Sequence, residues 1–133
     1  MVALLASRTL SVPIACTPQK VVDFVSNPAN LPQWASGLCL SVKQTASGWI
    51  AETPYGPMPV RFVEKNSLGV LDHYVMTTPG VEVYVPMRVL PNGEGSELLF
   101  TLFRTPDMSD AKFEEDATLV RQDLDTLQKL LGQ

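Results

Sequence analysis

In the last quarter of the chain Phe113, Ala117, Val120, Leu124, Leu127 and Leu131 recur at gaps of 4, 3, 4, 3 and 4 residues. That is the period of a helix burying one face, and such a stripe needs an apolar surface to lie on. Asp107 or Ser109 supplies a cap after Pro106, and Asp110, Glu114, Glu115 and Asp116 stand at the positive end of the helix dipole. Lys129 lies near the negative end, and Gly132 marks a stop.

The preceding chain alternates with a period of two. Residues 8 to 15 predict a strand, in which Pro13 is tolerable only near an edge or an end. Thr17 then caps a helix with Pro18 at its first position and Val21, Val22, Phe24 and Val25 as its apolar surface. Asn27-Pro28 ends it. A second short helix or turn over 28 to 35 carries Leu31 and Trp34, and Gly37 releases the chain. Six further strands are predicted at about 38–44, 47–53, 58–65, 69–78, 81–90 and 95–104. Turn residues separate them: Ala46-Ser47-Gly48, Pro54-Tyr55-Gly56-Pro57, Asn66-Ser67, Pro79-Gly80 and Asn92-Gly93. No connection is long enough for a crossover helix, so the strands form an antiparallel meander. The expected fold is α+β: a curved seven-stranded antiparallel sheet around one long C-terminal helix, with a pocket between them.

Register assigns the faces. A four-residue loop from Asn66 to Gly69 pairs Lys65 with Val70, Phe62 with His73 and Val60 with Val75. Val60, Phe62, Glu64, Leu71, His73 and Val75 then share the inner face, with Glu64 diagonal to His73. A tight Asn92-Gly93 turn sets Arg88 opposite Glu97, and Val83, Val85, Met87 and Val89 against Leu102, Phe100, Leu98 and Ser96 inside. A two-residue Pro79-Gly80 turn puts His73 on the Tyr84 and Arg88 side instead. The two assignments agree only if a bulge shifts one residue; that shift is expected, with Asp72 and Tyr74 as the alternative to His73 inside.

Composition narrows the function. With 133 residues and 45% hydrophobic content, one domain over 1–133 buries about two thirds of its unfolded surface. A net charge of -4, a pI near 4.8 and ten scattered Lys and Arg argue against nucleic acid and anionic membrane surfaces. Cys16 and Cys39 form no CxxC pair and fit reduced thiols in the cytoplasm. Met1 to Ala6 lacks the basic start and apolar length of a secretion signal, and no membrane insertion is expected.

The order of strand, two short helices, six strands and long helix resembles the START-like, or SRPBCC, superfamily. The carriers are Val21-Val22-Asp23-Phe24-Val25-Ser26-Asn27-Pro28, Leu31-Pro32-Gln33-Trp34, Gly69-Val70-Leu71-Asp72-His73-Tyr74-Val75 and Val120-Arg121-Gln122-Asp123-Leu124-Asp125-Thr126-Leu127. The resemblance implies a helix-grip fold, as in the major birch pollen allergen and the polyketide cyclase/dehydrase family, and a deep cavity for lipids, sterols, polyketides or other hydrophobic molecules. It implies no cofactor. The superfamily shares no catalytic residues, and one His without a ligand cluster argues against its metal-binding Rieske oxygenase branch.

The expected cavity lining is Trp34, Phe62, His73, Tyr84, Val85, Met87, Phe100, Val120 and Leu124. Three functions compete. The first is a carrier of a small hydrophobic molecule, monomer or homodimer. The second is a polyketide cyclase/dehydrase-like enzyme without metal, with His73 as acid or base beside Glu64, or assisted by Tyr84. The third is a protein-interaction module with a filled cavity. For each residue a plain reading stands beside the functional one: His73 filling a strand position, Trp34 as core, Arg88 as a surface partner of Glu97, Asp123 facing solvent or the sheet edge. Trp49 reads as sheet packing, and Tyr55 and Met58 as a rim loop or an ordinary hairpin. Gly93-Glu94-Gly95 joins two strands and is a turn rather than a phosphate loop. A Cys39–His73 nucleophile pair requires a register slip.

Overall fold

The computed structural model describes residues 2–132. Along the chain lie β1 (Ser7–Ile14), α1 (Pro18–Val25), a 3-10 turn (Pro28–Asn30), α2 (Leu31–Trp34), β2 (Ser41–Thr45), β3 (Gly48–Thr53), β4 (Gly56–Phe62), β5 (His73–Thr78), β6 (Val81–Val85), β7 (Met87–Asn92), β8 (Gly95–Phe103) and α3 (Asp110–Leu131). The strands pair antiparallel in two hydrogen-bonded groups, β1-β8-β7 and β2-β3-β4-β5-β6.

The expected α+β helix-grip architecture is present, with eight strands where seven were predicted. The predicted strand 81–90 divides at Pro86, which has no N–H to give the ladder. Its carbonyl still accepts from Thr101 N at 3.0 Å. Beside the break, Leu71 N donates to Met87 O (2.8 Å) and Val89 N to Gly69 O (2.9 Å), and Val70 bridges Arg88. These contacts join the two groups into one curved surface. They also explain why the predicted strand 69–78 starts at His73: its first residues pair with β7. Gly69 is required there, since its φ is +78° and a Cβ would sit 2.3 Å from Val89 O.

The predicted register of β4 and β5 holds, with Val60 opposite Val75 and Phe62 opposite His73. The expected shift lies between Met76 and Thr78, and it places His73 opposite Val85 and Tyr74 opposite Tyr84. His73 therefore shares the inner face with Val85, and Tyr74 and Tyr84 point outward together. The β7–β8 pairing is displaced by two residues from prediction: Gly93, at φ +58°, opens the loop, Asn92 faces Gly95, and Arg88 faces Leu99 instead of Glu97. A two-residue displacement preserves faces, so Met87 and Val89 remain inside with Leu98 and Phe100.

Helix ends follow their caps. Thr17 Oγ1 accepts from Lys20 N at 3.3 Å, Asn27 Oδ1 from Ala29 N at 3.1 Å and Ser109 Oγ from Lys112 N at 3.1 Å. The buried residues of α3 are those of the sequence stripe, Phe113 through Leu131. This helix packs chiefly on β1, and also on α2 and β8. Pro13 lies in β1, an edge strand as its missing donor demands. Arg121 Nη1 and Gln128 Nε2 of α3 donate to the carbonyls of Ser11 (3.0 Å) and Pro13 (2.9 Å), covering that edge with side chains.

Candidate functional site

β5 starts with two adjacent residues that the pleat sends to opposite faces, Asp72 just before it and His73 at its first position, each 6% exposed. Inside, His73 stacks on Phe62, with ring centroids 4.5 Å apart and planes 24° apart, and meets Phe100 edge-on at 6.3 Å. Its Nδ1 lies 3.1 Å from Leu71 O. A carbonyl only accepts, so Nδ1 carries the proton. Burial lowers the imidazole pKa, outweighing the opposing pull of the Leu71 carbonyl and of Asp72, and keeps the ring neutral.

Outside, the Asp72 carboxylate is fully engaged. Arg88 Nε and Nη2 donate to Oδ1 and Oδ2 at 2.9 and 2.8 Å, the Tyr84 hydroxyl to Oδ2 at 2.8 Å and Met87 N to Oδ1 at 2.9 Å. The Arg88 guanidinium first, then the Met87 amide and the Tyr84 hydroxyl, hold its pKa at about 2 against burial, which acts upward. Tyr84 belongs to an outer aromatic row, 5.3 Å from Tyr74 and 6.5 Å from Phe103 between ring centroids. The expectation that Tyr84 lines the cavity is therefore corrected, as is the pairing of Arg88 with Glu97; Glu97 instead accepts from Asn92.

Glu64 does not join His73. It is solvent-exposed beyond the end of β4, where the strand has already given way to the 63–72 segment, so inner-face parity no longer applies. The predicted acid–base pair is not assembled. Cys39, buried, donates its thiol to Ser41 O at 3.3 Å, and burial raises its pKa; this thiol is bonded away from any role as partner of His73.

The remaining predicted lining residues divide into two sets. Met87 and Leu124, both 0% exposed, meet no water-sized space, and Trp34 and Val120 are buried with them in the core. Phe62, Val85 and Phe100 are only partly buried. Trp34 carries a buried Nε1 with no hydrogen-bond partner among the described residues. Trp49, expected as sheet packing, and Phe62 line a half-open hollow of about 470 Å³ together with Val60, Ser26, Pro28, Met76 and the paired charges Arg61 and Glu82, whereas His73, Val85 and Phe100 are not in its wall. Met58 is buried on the same face, whereas Tyr55 at the Pro-rich turn is exposed. A second, shallower hollow of about 400 Å³ lies near Ala15 and Gln128, with no titratable side chain in its wall.

Asp123, expected at solvent or the sheet edge, lies under the loop after α2, its Oδ1 3.7 Å from where a Gly37 Cβ would stand. Burial raises its pKa to about 7, opposed by the Gly37 backbone hydrogen bond. Helical spacing placed it beside the buried stripe; only the α2 loop packing reveals the burial. The Asp72–Arg88–Tyr84 cluster also escaped sequence reasoning, although the bulge needed to reconcile parity was its signal.

Among the described residues no cluster of three or more His, Cys, Asp or Glu stands ready for a metal, and no helix is long and apolar enough to cross a membrane. No family model matches the chain, and no curated protein matches it. Solved structures do. The protein XoxI from Bacillus cereus superposes with a TM-score of 0.73 at 19% identity, covering 96% of each chain. A START superfamily protein from Mycobacterium smegmatis gives 0.65 at 10% identity, over 94% of this chain and 96% of that one. Ara h 8.0201 gives 0.69 at 10% identity, over 96% and 97%. The resemblance seen in the sequence thus holds for the fold: the chain has the START-like helix-grip architecture.

Proposed function

We propose that this protein binds a small hydrophobic molecule, of lipid, sterol or polyketide-like kind, in the hollow beside β3 and β4. The observation that carries the reading is a half-open hollow of about 470 Å³ walled by the partly buried rings of Trp49 and Phe62 and by buried Val60, with Arg61 and Glu82 as its charged members. That volume falls within the range of about 300–1,000 Å³ typical of small-molecule sites. The START-like fold commonly serves the same purpose. Proton transfer through His73 is the weaker reading, because no carboxylate orients the ring and Nδ1 is committed to Leu71 O. The chain works as one domain over 1–133, in the cytoplasm, where its free Cys16 and Cys39 stay reduced.

Native mass spectrometry of gently purified protein, repeated after denaturation, tests the reading. A stoichiometric apolar adduct released on unfolding is the expected outcome. Bare protein that also fails to bind naphthalene or a long-chain alcohol overturns it, and a bare, tight dimer points to an interaction module.

A further inference from the structure

The segment between α2 and β2 closes over the Asp123 carboxyl of α3, and among the described residues nothing of opposite charge faces that group. From Phe24 to Val42 the chain has no acidic, basic or histidine residue. The titratable group of this run is the Cys39 thiol, which donates to Ser41 O. The charged residue of β1, Arg8, is paired with Glu114, and that of β8, Glu97, accepts from Asn92. On α3 itself, Lys112 pairs with Asp116, and Arg121 turns to Ser11 O and Asp125. The segment is tied at its two ends. Leu38 N and Cys39 N donate to Ala35 O at 3.2 and 2.8 Å, and Leu40 N donates to Glu52 O of β3 at 2.8 Å. Between these ties Gly37 lies on α3, where an added Cβ would stand 3.4 Å from Leu119 Cδ2 and 3.7 Å from Asp123 Oδ1. One turn earlier, Trp34 Nε1 is buried without an acceptor among the described residues. Two polar groups are thus withdrawn from water around this segment, a carboxyl without a cation and an indole N–H without an acceptor, and each withdrawal costs free energy.

We infer that residues 35–40 form a proton-operated strap, closed on α3 while the Asp123 carboxyl is protonated and released when that group ionises. The inference stands apart from the ligand reading. A carboxylate with neither cation nor water is strongly disfavoured, so it regains water, and the short uncharged segment over it is the part that yields. The sign follows from burial: the folded value of about 7 lies above the ordinary 3.8, so closure weakens as pH rises from about 4 and is weakest above about 7. One linked proton moves the opening equilibrium by up to about tenfold per pH unit within that window.

Amide exchange followed by NMR in the full chain, between pH 5 and pH 8, tests the strap at Leu38, Cys39 and Leu40. Dividing each wild-type rate by the Asp123→Asn rate at the same pH cancels the base catalysis of exchange. The ratio is expected to rise at least about tenfold between pH 5 and pH 7 and then level. These amides are also expected to exchange faster than those of Leu71 and Val89, which are bonded between β7 and the segment before β5 and report opening of the sheet. Iodoacetamide labelling of Cys39 in Cys16→Ser protein, with and without Asp123→Asn, should follow the same ratio. If Asp123→Asn does not fold, wild-type rates divided by those of unstructured peptides must show the same rise and plateau. A ratio that stays flat with pH overturns the inference. So does protection at residues 38–40 equal to that at Leu71 and Val89, since the segment then opens only when the whole chain unfolds.

Discussion

The half of the molecule built from β1, β8, β7 and α3 and the half built from β2 to β6 have similar alternating sequences and end up differently. In the first, Met87, Leu98, Leu124 and Leu127 are sealed at 0% exposure. In the second, Phe62, Val75, Val83 and Val85 remain only partly buried. Alternation makes a face apolar; whether it becomes core depends on a cover, and α3 lies chiefly on β1. A helix that caps one end of a curved sheet leaves the other end for something else to occupy.

The sharpest way to break this contrast is to remove volume from each half. Leu124→Ala should lower stability by about 3 kcal/mol, since a sealed site cannot relax into solvent, and Phe62→Leu by about 1 kcal/mol or less. Urea midpoints read both, and a larger loss at Phe62 means that the second half is as tightly packed as the first.

Next in size is the joint between the halves. Arg88→Ala removes the fork that pairs the buried Asp72 carboxylate and, since the guanidinium is itself half exposed and two other donors stay, should cost about 1.5 kcal/mol, measured in the same way. The pH dependence has a defined sign. Asp72 has a folded pKa of about 2, below its ordinary 3.8, so its stabilisation is present above about pH 4 and lost as pH falls through 2. The amount is on the order of 2 kcal/mol. Acid unfolding curves of wild type and Asp72→Asn should converge below that range; parallel curves down to pH 2 remove Asp72 from the acid response.

Asp123 acts with the opposite sign. Its pKa of about 7 exceeds the ordinary 3.8, so ionisation between these values destabilises the folded state, and the cost is complete above about pH 7. Asp123→Asn should melt above wild type at pH 8 and level with it at pH 4; equal melting temperatures at both pH values contradict the assignment. The smallest effect belongs to an exposed pair on the outer face, Lys43 and Glu52 at 3.5 Å. Lys43→Ala should cost below about 0.5 kcal/mol, and a larger loss marks a role beyond that ion pair.

Local chemistry made most of the fold legible in the sequence. The α3 stripe, the Thr17 and Ser109 caps and the Val60–Val75 register depend on neighbours a few residues apart. The bulge near Thr77 was inferred because two independent parity counts disagreed, and the structure contains it. The site was less legible. Glu64 was assigned inside by extending strand parity past Phe62, where pairing stops, and Tyr84 was placed in the cavity lining although the bulge turns it outward. Asp72 and Arg88 meet where β7 starts again after Pro86, a contact between residues 16 apart in the chain whose one trace in the sequence was the parity conflict.

That interruption has a dynamic meaning. Around Pro86 the backbone is continuous, but the hydrogen-bond ladder is handed across the gap by an aspartate side chain, which takes the Met87 amide. Protection of that amide against exchange with solvent deuterium is therefore governed by a carboxylate and not by a neighbouring strand. Amides of β2 to β6 should exchange through openings that spare β1, β8 and β7, as two cooperative units. The carboxylate at 72 thus couples the two units, and Asp72→Asn should speed exchange of the Met87 amide.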